Sequence, residues 1–115
     1  MNFPVDIWLR GTGYATTREL TSVSEPAAWT DADVESMLKQ MLRAMDREKN
    51  PEAEERPVFL RGFSWIVNTY KEGGVVIAIE MQTGAAIAGP FNIDKRELER
   101  MVGRVIVISQ PPPCF

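Results

Sequence analysis

Two heptapeptides carry the residues best suited to holding another molecule: Trp8-Leu9-Arg10-Gly11-Thr12-Gly13-Tyr14 and Phe59-Leu60-Arg61-Gly62-Phe63-Ser64-Trp65. Both read aromatic-Leu-Arg-Gly-x-small-aromatic, 51 positions apart (59 minus 8). A guanidinium beside aromatic rings suits an anionic or planar ligand, and suits a protein hot spot as well. The ring face attracts the cation, and the planar fork matches a carboxylate or phosphate. If the two copies pair in one sheet, Arg10 and Arg61 project from the same face beside Trp8, Tyr14 and Trp65. The plainer reading has each arginine paired with a carboxylate while its stem covers the sheet. That carboxylate comes from the acidic loop over 46–56 or from Glu80, the one charge within the apolar run from Val75 to Gly89. On an amphipathic strand it faces either water or an arginine.

Much familiar chemistry has no residues to carry it. The chain contains no histidine, so the usual proton shuttle and the commonest metal ligand are missing. Its single cysteine, Cys114, excludes an intrachain disulfide and predicts a reducing, cytoplasmic setting. Glu54-Glu55 and Glu97-x-Glu99 have spacings that do not converge two carboxylates for acid-base work. Gly11-x-Gly13 and Gly73-Gly74 lack the strand-to-helix context of a phosphate loop. No catalytic residues, metal or cofactor are expected, and an enzyme built on Glu80 with an arginine ranks last.

The net charge of −3 and a pI near 5.0 supply no positive field to gather nucleic acid or anionic lipid. The N-terminus lacks the charged-then-apolar pattern of a secretory signal. The apolar run is broken at Glu80 and Gly84, well short of the roughly 20 residues of a membrane span. With 44% apolar and 25% charged residues, the composition is that of an ordinary globular domain.

The elements that would position these residues follow from periodicity and capping. Residues 4–10 place Val5, Ile7 and Leu9 on one side of a strand, and 15–20 return after a Gly11-Thr12-Gly13 turn. Thr30 and Asp33 have capping-box spacing, with Trp29 and Val34 as the staple, so a helix starts there. Val34, Met37, Leu38, Met41, Leu42 and Met45 form its apolar face, and Asn50-Pro51 stops it. The methionine stripe is core filler, or a dimer surface if the sheet cannot cover it. Segment 46–56 reads as a solvated loop.

A long strand is expected over 57–70, bent at Gly62, then strands over 75–82 and 85–89, the last ended by Pro90. Asp94 and Glu97, between Ile93 and Leu98, repeat the cap and staple for a second helix over 94–104. The run Val105 to Ile108 suits a short final strand as an alternative. Lys95, Arg96, Arg100 and Arg104 share that helix with nearby acids and read as a solvated face. Residues 110–115 read as a mobile proline-rich tail.

The predicted architecture is therefore one α+β domain over 1–109, in the order ββ-α-βββ-α. An antiparallel sheet of about five strands carries two helices on one face. Because each heptapeptide opens a β segment that a capped helix follows, an internal duplication is one reading of the pair. The order αβββα over 30–108 also occurs in double-stranded RNA-binding domains, but the acidic balance argues against RNA.

The functional expectation is a small non-enzymatic interaction or regulatory domain, homodimeric or bound to another protein. The alternative is a module for a small anionic ligand centred on Arg10 and Arg61. Arg10, Arg61, Trp8, Tyr14, Trp65 and Glu80 are the candidate binding residues in both.

Overall fold

The element order read from the sequence is the one found in a computed structural model of the chain, which describes residues 1–22, 24–52 and 58–109, the side chains of 107–109 excepted. Strands β1 (Asn2–Leu9) and β2 (Ala15–Thr21) precede helix α1 (Asp31–Lys49). Strands β3 (Ser64–Thr69), β4 (Val75–Met81) and β5 (Gly84–Phe91) then lead into α2 (Lys95–Ser109). The sheet is antiparallel throughout, in the order β2-β1-β5-β4-β3. β5 thus lies at its centre and joins the N-terminal hairpin to the later meander.

Both helices pack on one face. The sequence signals at their starts become hydrogen bonds: Asp33 N–H donates to Thr30 Oγ1, and Thr30 N–H donates to Asp33 Oδ2 at 2.9 Å. Trp29 and Val34 are buried on either side as the staple. At α2, Glu97 N–H donates to Asp94 Oδ2 at 3.1 Å, and the adjacent Leu98 is buried.

Period-2 alternation puts Phe3, Val5 and Ile7 of β1 towards the helices, with Ala86 and Ala88 of β5 and Val75, Ile77 and Ile79 of β4. The alanines at the sheet centre leave room for α1 to approach β5 closely. Met37, Met41 and Met45 are all buried against this face, so the stripe is core and offers no dimer surface. Phe91 packs edge-on against Phe3 with ring centroids 5.2 Å apart, and Trp29 is tilted against the same ring at 4.8 Å.

Four sequence expectations are corrected. The segment before β3 is not strand: Arg61 N–H donates to the Phe59 carbonyl at 2.9 Å and Gly62 takes φ +78°, a tight turn that sends Leu60 into the core. Pro90 does not end β5. The ladder pairs Ile77 with Ala88 but Val75 with Phe91, so Val76 faces both Gly89 and Pro90. A proline at such a bulge need not donate to the ladder, and the Gly89–Pro90 peptide is cis. The run from Val105 is helix, because Leu98, Met101, Val102 and Val105 recur at helical spacing and all bury. Residues 46–49 also belong to a helix, α1, while 53–56 and the tail at 110–115 lie outside the described residues.

The helices are tied together at the ends that meet. Arg104 donates to both carboxylate oxygens of Asp31, at 2.9 and 3.0 Å, a bidentate pair between residues 73 positions apart. Arg104 is therefore more than part of a solvated face. Other charges on α2 do pair locally, Lys95 with Glu99 at 3.8 Å and Arg100 with Glu97.

The hydrogen bond from Arg104 holds the Asp31 carboxyl below its ordinary value of 3.8. The bond favours the folded state above the unfolded carboxylate pKa, and that contribution is lost as pH falls through the lowered folded value. In an NMR titration the Asp31 side chain should show a midpoint below 3.8, returning towards it in Arg104→Gln.

Two glycines should respond oppositely to alanine. At Gly84, φ is +154° and an added Cβ would sit 2.0 Å from the Trp8 carbonyl oxygen. Gly84→Ala should therefore cost about 2 kcal/mol or more. Gly103 lies within α2 with nothing beyond its chain neighbours and its own helix backbone within 4 Å of an added Cβ. There, alanine should add about 0.5–1 kcal/mol, read by urea denaturation.

Candidate functional site

Antiparallel pairing carries side chains across the sheet in rows, and alternate rows face opposite ways. Ala15, Trp8, Ala85, Glu80 and Ser64 form one outward row spanning all five strands. Thr17, Asp6, Ile87, Ala78 and Ile66 form the next. None of these residues is buried, whereas Ile7, Ala86 and Ile79, in a row facing the helices, are almost wholly so. Among the described residues, nothing packs over this side.

The open face has a definite character. Trp8 is 38% exposed and Ile66 54%, with Ala85, Ile87 and Ala78 between them as a shallow apolar band. The outward charged residues of the strands are Asp6, Glu19 and Glu80, all acidic. Asp6 accepts a hydrogen bond from Thr17 Oγ1 at 2.7 Å. Glu80 is exposed, as the strand pattern predicts. The pattern is a tryptophan-bearing apolar band with acids set into it, held on strands rather than on loops.

One end of this face collects several of the residues singled out from the sequence. Arg10 N–H donates to the Thr83 carbonyl at 2.9 Å, fixing the first hairpin beside the β4–β5 turn. Arg10 and Glu80 then line the same open cleft of about 550 Å³, together with Phe63, Ser64 and Gln82. They share the cleft without forming an ion pair within it.

Arg61 is placed differently. Its guanidinium lies 5.1 Å from the centre of the Phe59 ring, and it lines a cleft of about 320 Å³ on the side of α1, with Leu42, Met45 and Lys49. Met81 borders both clefts, so the two arginines flank the end of β4 from opposite sides.

The aromatic residues also separate. Tyr14 is 69% exposed at the first hairpin, next to Ala15, which pairs with Trp8. Trp65 pairs with Ile79 and packs against the core on the helix side, away from Trp8. The heptapeptides do not occupy equivalent positions either. The first closes β1 and the second leads into β3, and β5 and β4 lie between those strands. They share a positive-φ glycine after the arginine, +90° at Gly11 and +78° at Gly62, which is common turn chemistry.

Sequence reasoning named Trp8 and Glu80 but missed their companions Asp6, Ile66 and Ile87. The available signal was parity: once Ile7 and Ile77 are assigned to the core, Asp6, Trp8, Ala78 and Glu80 must share the other face.

Comparison with known proteins finds no matching family model, no matching curated protein and no matching solved structure.

If the open face is a surface and not a hidden part of the core, truncating it should leave the fold intact. Glu80→Gln is expected to change unfolding free energy by less than about 1 kcal/mol, and Trp8→Ala, which uncovers only part of its ring, by less than the roughly 2–5 kcal/mol of Ile79→Ala. Chemical denaturation of the three variants makes that comparison.

Proposed function

We propose that this chain is a non-enzymatic protein-interaction domain, and that it docks its partner on the open face of the sheet. The observation that carries the reading is the combination of an uncovered apolar band, in which Trp8 and Ile66 are exposed and Ala78, Ala85 and Ile87 half-buried, with outward strand charges of one sign. Tryptophan supplies large apolar area with little conformational freedom to lose, which is why it anchors hot spots. Asp6, Glu19 and Glu80 select for a polypeptide surface that sets lysine or arginine around an apolar centre. An acidic or nucleic-acid partner would meet repulsion on this face.

The anion-module reading keeps Arg10 but gains no help from Arg61, which lines the other cleft. An acid beside Arg10 in its cleft also disfavours a small anion there. The open face is the stronger basis for a function.

A displayed peptide library selected against the intact chain tests this reading. Enriched peptides should combine basic with apolar residues, bind more tightly at low salt, and lose roughly tenfold or more in affinity to Trp8→Ala or Glu80→Lys. Failure to enrich such peptides, or binding indifferent to both substitutions, would overturn it.

A further inference from the structure

The two edges of the sheet are finished differently. On β2, the edge is guarded: Arg18 and Glu19 are charged, Arg18 pairs with Glu48 of α1, and the Gln40 side chain closes the Thr21 backbone. In that closure Gln40 Nε2 donates to the Thr21 carbonyl at 2.8 Å while Thr21 N–H donates to Gln40 Oε1 at 3.4 Å. At the opposite edge β3 reads Ser64-Trp65-Ile66-Val67-Asn68-Thr69, with no charge, no proline and no bulge against β4. Charge, proline and bulges normally keep an edge from pairing with another chain, and β3 has none of these three.

We propose that β3 pairs with β3 of a second copy of this chain, antiparallel about a twofold axis at Ile66, joining two five-stranded sheets into one continuous sheet. The sequence is self-complementary in that register. Ile66 meets Ile66 on the open face, Ser64 meets Asn68, and Trp65 meets Val67 on the helix side, so apolar lies against apolar and polar against polar. Within the strand no charged residue stands opposite another. Stacking two copies by their open faces would instead bring together two faces whose outward strand charges, Asp6, Glu19 and Glu80, are all acidic. Edge pairing also leaves both open faces uncovered, side by side, and it stands independently of the docking reading above.

Sedimentation velocity of the full chain at micromolar concentration should show a dimer that Ile66→Lys converts to monomer, since it sets two lysines opposite each other. In a Cys114→Ser background, Ile66→Cys should cross-link between copies on mild oxidation, and Ile87→Cys, at the middle of the open face, should not. A wild-type chain that stays monomeric overturns the proposal and leaves the edge to a foreign strand. Cross-linking through residue 87 but not 66 overturns it in favour of stacked faces. Neither readout depends on peptide binding, so the two proposals fail separately.

Discussion

The pairing of β5 with β1 is the joint on which the molecule depends. β1 and β2 form a local hairpin and β3, β4 and β5 a local meander, but only the ladder from Val5–Ala88 to Leu9–Gly84 makes them one sheet. It joins residues about 80 positions apart, so a large loop must close before its bonds form. Gly84 makes the approach possible, because a side chain there would strike the Trp8 carbonyl. The alanines that follow in β5 keep the centre of the helix side low enough for α1. The same register sets Trp8 beside Ala85 and Asp6 beside Ile87, so the joint that closes the core also composes the open face.

With two helices on one side, the sheet has an asymmetric energy balance. The covered side buries isoleucine, valine, phenylalanine and methionine, each contributing about 1.5–3 kcal/mol by removal from water. The other side leaves its apolar band half-buried to exposed, where it contributes less to folding. Positions freed from packing can be chosen for recognition, and strands hold them more rigidly than loops would. That is the physical basis for proposing the open face as the docking surface. No described helix is long and apolar enough to cross a membrane, so neither α1 nor α2 competes for that role.

Local signals were legible in the sequence and long-range ones were not. Both helix starts could be read because a cap and its staple lie within a few residues of each other. The meander could be read because period-2 runs were separated by glycine turns. The end of α2 was ambiguous because valine and isoleucine favour strands by intrinsic preference, whereas the buried stripe from Leu98 to Val105 decides for helix. The heptapeptide match drew Trp65 and Arg61 into a common site with Trp8. The turn at Gly62 breaks the strand before them, and parity with buried Val67 sends Trp65 to the helix side. Nothing local marks Asp31 and Arg104 as partners across 73 positions.

The central claim is that one side of this sheet is core and the other is available surface in the whole chain. Paramagnetic relaxation by a soluble gadolinium chelate, read at isoleucine and alanine methyl groups, tests it most directly. Broadening should be strongest at Ile66 and clear at Ala78, Ala85 and Ile87, with their neighbours Ile77, Ile79, Ala86 and Ala88 protected. Equal protection of both sets would show that the face is covered and that it is no free surface.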